Sequence, residues 1–97
     1  MIRFSVFYPS TEGATFDHDY YRDQHVPLAL ETWGLDGSKV EIDKGINGPY
    51  VAAVHFTFES LEAMGASLGG PGTAAVAADV ANYTTITSVT QTSEIVG

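Results

Sequence analysis

Residues 50–58 limit the possible folds more than any other stretch, because they are apolar on both faces of an extended chain. The side chains of a strand alternate between its two faces. Tyr50, Ala52, Val54, Phe56 and Phe58 share one face, and Val51, Ala53, His55 and Thr57 share the other. A strand of this composition needs cover on both sides, so we expect it in the centre of a sheet.

Three further strands are predicted from alternating or β-branched residues, over 2–8, 39–46 and 85–96. The turn formers Asn47, Gly48 and Pro49 separate the second of these from the central strand, which indicates a hairpin. All four strands are short enough for an ordinary small sheet.

Two helical regions complete the pattern. Asp17 is the expected N-cap of the first, which ends at Gly34. Ser60 is the expected N-cap of the second, residues 69–72 interrupt it, and Thr73 is expected to cap a continuation over 74–81. The order β-α-β-β-α-β predicts an α+β protein of the ferredoxin-like plan, with a four-stranded antiparallel sheet and its helices on one face.

Size and charge narrow the class of protein. A chain of 97 residues forms one domain, expected to span residues 1–97. Its net charge of −8 repels phosphate backbones and anionic lipid heads, so nucleic acids and membrane surfaces are poor partners. The chain has no cysteine, no signal-peptide pattern and no apolar run that could span a bilayer, which predicts a soluble cytoplasmic protein.

One face of the predicted sheet has no helix to cover it. The first and the central strands nevertheless carry apolar side chains on both faces. A bare apolar face is most simply covered by a second copy of the same chain across a two-fold axis. We therefore expect a homodimer.

The residue types best suited to catalysis or binding lie together in the stretch 16–28, which contains two histidines, two tyrosines, three aspartates and one arginine. On a helix, Tyr21, His25 and Leu28 stand at positions i, i+4 and i+7 and share one face. Pro27 has no amide hydrogen and crowds the preceding turn, so a kink or break is expected at residues 24–26, beside His25.

These residues resemble the EthD family of dimeric α+β barrel proteins. The resemblance covers the whole chain, and its most specific part is Asp17-x-x-Tyr20-Tyr21-x-x-x-His25-Val26-Pro27-Leu28. Shorter matches follow in order: Tyr50-Val51-Ala52 with His55, then Asn82-Tyr83-Thr84, then Gln91-x-Ser93-Glu94. The glycine-rich break at 69–72 departs from the family pattern, and so does Ala81, where similar proteins often have proline.

The resemblance implies a dimeric α+β barrel associated with oxidoreductases of small-molecule catabolism or secondary metabolism. Related barrels include muconolactone isomerases, polyketide cyclases and quinone-forming monooxygenases, which hold an aromatic or lactone ligand between helices and sheet, many of them without a cofactor. This sequence has no glycine-rich dinucleotide fingerprint, so no cofactor is expected.

His25 and Tyr21 are the candidate catalytic residues. His25 titrates near neutral pH and is expected to point at the sheet, where it would act as an acid or base; its structural interpretation is a bond to backbone freed by Pro27. Tyr21 would donate a hydrogen bond to a carbonyl or enolate oxygen, unless it is a core aromatic.

Five residues are candidates for substrate binding: Tyr20, Leu28, Trp33, His55 and Tyr83. Tyr20 and Tyr83 also suit packing, and His55 faces either the helices or the dimer interface. His18 lies among acids and is expected to be solvated. His18 and His25 are separated by about 10 Å along a helix, so one metal ion could not join them, and no metal site is predicted.

Three functional hypotheses follow. In the first, a cofactor-free isomerase or cyclase binds a small hydrophobic, oxygenated compound and transfers a proton through His25. In the second, the protein binds a metabolite without catalysis, as an accessory to a monooxygenase. In the third, the cleft is filled by the protein's own side chains and the protein is purely structural.

Overall fold

The computed structural model describes residues 1–97. The strands are β1 (Ile2–Pro9), β2 (Val40–Lys44), β3 (Tyr50–Phe58) and β4 (Val89–Glu94). The α-helices are α1 (His18–Tyr20), α2 (Val26–Trp33), α3 (Leu61–Leu68) and α4 (Thr73–Asp79). A π-helical turn (Tyr21–His25) joins α1 to α2, and 3-10 turns follow at Gly37–Lys39 and Val80–Asn82.

The four strands form one antiparallel sheet in the order β2-β3-β1-β4. The two inner strands are β3 and β1, so the predicted central position of residues 50–58 is confirmed. The helices cover one face of the sheet, and the predicted α+β, ferredoxin-like fold is confirmed. No helix combines the length and the apolar surface needed to cross a membrane.

The core lies between the helices and the sheet. Its members are buried aromatic and aliphatic side chains from two strands, the first helical region, α4 and the segment before β4. They are Tyr8, Tyr21, Val26, Ala29, Ala52, Val54, Phe56, Phe58, Val76, Tyr83 and Ile86. From Ala52 to Phe58, every second residue of β3 contributes to this layer, as the strand period requires.

A β-bulge changes the start of β3. Tyr8 pairs with Ala52, but the next residue, Pro9, pairs with Tyr50, so Val51 is the extra residue. The bulge turns Tyr50 to the face away from the helices, where its ring lies 5.0 Å from that of Phe7. The prediction that Tyr50 and Ala52 share a face is therefore wrong.

The first helical region is irregular where Pro27 predicted irregularity, but it does not break. The amide of Val26 donates to the carbonyl of Tyr21, five residues back, and Pro27 then occupies the first turn of α2, where its missing amide hydrogen is tolerated. The extra residue in this turn moves the buried face by one position, from Leu28 to Ala29.

Two element boundaries also differ from the predictions. Gly72 precedes α4, and the hydroxyl of Thr73 does not cap it because that hydroxyl bonds Trp33 and Ser67 instead. The last strand begins at Val89 instead of residue 85, because Thr84 forms a bridge with Phe16 and its hydroxyl accepts the amide of Ile86.

Candidate functional site

A cavity of about 210 Å³ lies between the helices and the inner face of the sheet. Twelve of its sixteen lining residues are hydrophobic. The lining consists of Phe4, Val6, Tyr8, Tyr21, His25, Ala29, Trp33, Val54, Phe56, Leu68, Thr73, Val76, Ala77, Val80, Ser88 and Thr90. An apolar hollow with a few convergent polar groups is the usual form of a small-molecule site.

The first helical region supplies one wall with residues spaced four apart. Tyr21, His25, Ala29 and Trp33 all line the cavity. Because the π-helical turn contains one residue more than an α-helical turn, it keeps Tyr21 and His25 on the same inner face as Ala29. Both Tyr21 and His25 are buried, at 1% and 6% exposure.

His25 forms a hydrogen-bonded pair with Asp79, at the end of α4. Its Nδ1 lies 2.9 Å from Oδ2 of Asp79. An ionised carboxylate only accepts hydrogen bonds, so Nδ1 carries the proton and donates it. In the neutral ring, Nε2 is then an acceptor, and the side-chain hydrogen bond of the ring is the one that Nδ1 makes to Asp79. Because His25 lines the cavity and its Nδ1 is committed to Asp79, Nε2 is the ring nitrogen available to a ligand there.

Three donors hold the carboxylate of Asp79. The hydroxyl of Tyr20 donates to Oδ1 at 2.7 Å, the amide of Asn82 donates to Oδ1 at 2.9 Å, and His25 donates to Oδ2. Burial acts to raise the pKa of Asp79, but the hydrogen bonds from Asn82, Tyr20 and His25 outweigh it, and the pKa lies below its ordinary value. Asp79 is therefore ionised at neutral pH.

Burial has the opposite consequence for the imidazole. Desolvation lowers the pKa of His25 below its ordinary value of 6.5, and the hydrogen bond and charge of Asp79 counteract this only in part. At neutral pH the ring is uncharged and its Nε2 is free to accept a proton.

A cluster of buried phenols surrounds the imidazole. The ring centroid of Tyr83 lies 4.5 Å from that of His25, and Tyr21 stacks on His25 at 5.5 Å. The hydroxyls of Tyr8 and Tyr83 are 2.7 Å apart. Burial raises the pKa of Tyr8, Tyr21 and Tyr83 above the ordinary value of 10.0, so all three phenols keep their protons and remain hydrogen-bond donors.

Trp33 forms a further part of the lining. Its indole Nε1 donates to the hydroxyl of Thr73 at 3.0 Å, and that hydroxyl donates to the carbonyl of Ser67 at 3.2 Å. The indole meets the ring of Phe56 edge-on at 5.0 Å and that of Phe4 at 6.4 Å. These contacts give the cavity a largely aromatic wall.

The structure brings some of the predicted site residues together and not others. Tyr21, His25 and Trp33 line the cavity. Tyr20 and Tyr83 lie behind its lining, one bonded to Asp79 and the other packed on His25. Leu28 does not line the cavity and packs against the edge of the core.

His55 lies on the opposite face of the sheet. Its Nδ1 is 2.7 Å from the hydroxyl of Ser5, and its Nε2 is 3.2 Å from Oδ2 of Asp43. The ring also meets Phe7 edge-on at 5.8 Å. His55 and His25 therefore belong to different surfaces. No group of three or more ligating side chains that could hold a metal ion is present.

Asp79 is the principal residue that sequence reasoning missed. It is the only acid between Glu62 and Glu94 and stands at the end of an alanine-rich helix. A carboxylate is unfavourable at the C-terminus of a helix unless something else stabilises it. An isolated acid in that place was the signal that could have identified a partner for His25.

The chain matches a family model described as the EthD domain over residues 10–87. An EthD-like protein from Ralstonia eutropha JMP134 is 38% identical in sequence, with a TM-score of 0.87; the alignment covers 99% of this chain and 92% of that protein. No curated protein matches the sequence.

Two more distant structures share the fold. An ethyl tert-butyl ether D (EthD) family protein from Bacillus halodurans C-125 is 15% identical, with a TM-score of 0.66 and coverage of 98% of this chain and 99% of that one. A variant of SnoaB, a cofactor-independent oxygenase from Streptomyces nogalater, is 8% identical, with a TM-score of 0.70 and coverage of 97% and 91%.

Proposed function

This chain belongs to the EthD domain family, and we propose that it binds a small hydrophobic, oxygenated compound in the cavity between helices and sheet and transfers a proton through His25. The family and its structural neighbours support a function that involves a small molecule, without specifying the compound or the reaction. The observation that carries the finer proposal is the unbonded Nε2 of a neutral, buried imidazole whose Nδ1 is held by an ionised carboxylate.

The pair His25–Asp79 suits a general base. Asp79 fixes the tautomer and the orientation of the ring and stabilises the imidazolium that forms when Nε2 takes a proton. Desolvation lowers the pKa of His25, so at neutral pH the imidazole is in the uncharged form that a general base requires. Tyr20 and Tyr83 are proposed as positioning residues, since they hold Asp79 and His25 from outside the cavity.

The proposed step is removal of a proton from a carbon next to a carbonyl. Nε2 of His25 accepts the proton, the electron pair of the C–H bond moves into an enolate, and the enolate oxygen accepts a hydrogen bond from the protonated phenol of Tyr21. Return of the proton to the same or another carbon completes an isomerisation. No residue motif for a cofactor is used in this step.

We also propose that the protein works as a homodimer. The sheet face away from the helices exposes apolar side chains, with Tyr50 at 40% and Val89 at 50% exposure beside the half-buried Phe7. An apolar face of this kind fits a second copy of the same chain.

Exchange of carbon-bound hydrogen for deuterium tests the proton transfer without knowledge of the natural substrate. Cyclohexanone, an uncharged single-ring ketone, is incubated in D₂O with the protein, and deuterium incorporation is followed by NMR. We expect the wild-type protein to accelerate exchange and His25→Ala to lose about 10²-fold or more of that acceleration.

His55→Ala is the matched control, because it removes a histidine from the opposite face and should leave the exchange rate unchanged. If the wild-type protein binds the ketone but exchanges it no faster than buffer, proton transfer is wrong and a binding or accessory role remains. The absence of both binding and exchange would support a purely structural protein.

A further inference from the structure

The cavity offers no counter-ion to a charged ligand. None of its sixteen lining residues is Lys, Arg, Asp or Glu. The chain has four cationic side chains, and all of them lie outside the lining: Arg3, Arg22, Lys39 and Lys44. A carboxylate or phosphate inside the cavity would lose its hydration without gaining a partner, within a protein of net charge −8.

The cavity also lacks a partner for a ligand cation. No carboxylate lines the cavity, and that of Asp79 is hydrogen-bonded to Tyr20, Asn82 and His25. An ammonium group in the cavity would therefore be desolvated among largely apolar side chains. The site favours an uncharged molecule.

The volume of the cavity accommodates a small ring. A cavity of about 150 Å³ holds a benzene molecule, and this cavity measures about 210 Å³. One ring with a small substituent therefore fits. The edge-on arrangement of Trp33 against Phe4 and Phe56 provides flat aromatic surfaces for such a ring.

The polar end of the cavity selects a hydrogen-bond donor. The neutral imidazole of His25 presents an acceptor, Nε2, because Nδ1–H is committed to Asp79. We propose that the ligand is an uncharged compound of single-ring size that donates a phenolic or enolic O–H to Nε2 of His25. This inference rests on the proposed function of the same cavity and adds the chemical class of the compound, whose O–H takes the position at Nε2 that the C–H bond occupies in the proton-transfer step.

Trp33 gives a direct readout, since it lines the cavity and is the only tryptophan of the chain. Quenching or shift of its fluorescence is titrated at neutral pH with four probes that differ only in the substituent of a toluene ring: p-cresol, p-methylanisole, p-toluate and p-methylbenzylammonium. We expect p-cresol to bind about tenfold or more tightly than each of the other three.

Two variants test separately the hydrogen bond to His25 and the absence of a cationic side chain from the cavity. His25→Phe removes the acceptor, so the preference for p-cresol over p-methylanisole should disappear. Thr90→Lys adds a cation at an exposed lining position on β4 and should raise the affinity for p-toluate about tenfold. Because Thr90 is exposed, this second variant remains informative if His25→Phe does not fold.

Each contrary result identifies which part of the proposal is wrong. If p-toluate or p-methylbenzylammonium binds as tightly as p-cresol, selection for an uncharged ligand is wrong while binding in the cavity stands. If p-methylanisole equals p-cresol, the donor requirement is wrong. If none of the four probes changes the emission of Trp33 or competes for binding by calorimetry, the proposed function fails together with this inference.

Discussion

At the scale of single residues, Asp79 decides which nitrogen of His25 faces a ligand. The two residues are 54 positions apart in sequence, and their side chains meet because α4 ends beside the π-helical turn. The carboxylate both orients the ring and opposes the lowering of its pKa by burial. These two effects can be tested separately.

Asp79→Asn removes the charge and keeps the size of the side chain. We expect the pKa of His25 to fall further, because the charge and strong hydrogen bond that raise it are lost. NMR titration of the imidazole carbon-bound protons measures this value. Asp43→Asn is the control, since Asp43 contacts His55 on the other face and should leave the pKa of His25 unchanged. A rise in that pKa in Asp79→Asn would contradict the assigned role.

Stability should depend on pH through His25. Its pKa is lower in the folded protein than the ordinary value of 6.5, so below pH 6.5 the unfolded chain binds the proton first. The contribution of the uncharged His25 imidazole to the free energy of unfolding is fully present above pH 6.5. It is lost as the pH falls towards the pKa of His25 in the folded protein. His18 acts in the same direction, since burial and Lys44 lower its pKa.

Urea denaturation of the wild-type protein and His25→Gln at several pH values isolates this effect. As the pH decreases from about 7 to about 5, the free energy of unfolding of the wild type should fall relative to that of His25→Gln. A difference that stays constant over this range would show that His25 does not titrate with a lowered pKa.

At the scale of secondary structure, the caps at Asp17, Ser60 and Gly34 were predictable, whereas the cap predicted at Thr73 was wrong because its hydroxyl bonds Trp33 and Ser67. Asp17 and Ser60 accept amide hydrogens of the first turns they precede, and Gly34 ends α2 with a φ of 68°. These features depend on neighbours in the chain. Pro27 indicated an irregularity at residues 24–26, but the form that it takes, a continuous π-helical turn, depends on how a whole element fits the core, as does the bulge at Val51.

The same limit explains the site. The spacing of Tyr21 and His25 was enough to place both on an inner face, and the structure has both buried. The bond from His25 to Asp79 joins two helices distant in sequence, and the choice of face for His55 depends on the pairing of Ser5 with His55 across two strands. No pattern within one element contains that information.

Gly45, which follows β2, shows how the bulge is accommodated. Its amide donates to the carbonyl of Val51 at 2.8 Å, and a Cβ atom at Gly45 would overlap the backbone carbonyl oxygen of Tyr50. Gly45→Ala should therefore destabilise the protein by about 1–3 kcal/mol, because backbone must move.

Gly65→Ala, in α3, is the matched control for this substitution. A Cβ atom there meets nothing within 4 Å, so we expect a stabilisation of about 0.5–1 kcal/mol from the better helix former. Chemical denaturation of both variants gives the comparison. Equal effects of the two substitutions would contradict the close approach of β2 to the start of β3.

At the scale of the whole molecule, the open face of the sheet sets the oligomeric state that we propose. Val89 is half exposed on this face and pairs across the strands with Phe7. Val89→Asp should shift the protein from a dimer to a monomer of 10.3 kDa, because it places a charge within the proposed apolar interface.

Sedimentation equilibrium measures this mass directly. Leu61→Asp is the control, since Leu61 is 60% exposed on α3, on the helical side, and its replacement should leave the dimer intact. A wild-type protein that sediments as a monomer at all concentrations would contradict the proposed assembly.

A crystal structure of the wild-type protein soaked with p-cresol tests the central claim most directly, because it locates the ligand and its hydroxyl together. We expect the ring between Trp33 and His25, with the phenol oxygen about 2.8 Å from Nε2 of His25. An empty cavity in a crystal that holds p-cresol elsewhere, or a ring with its hydroxyl directed away from His25, would contradict the account.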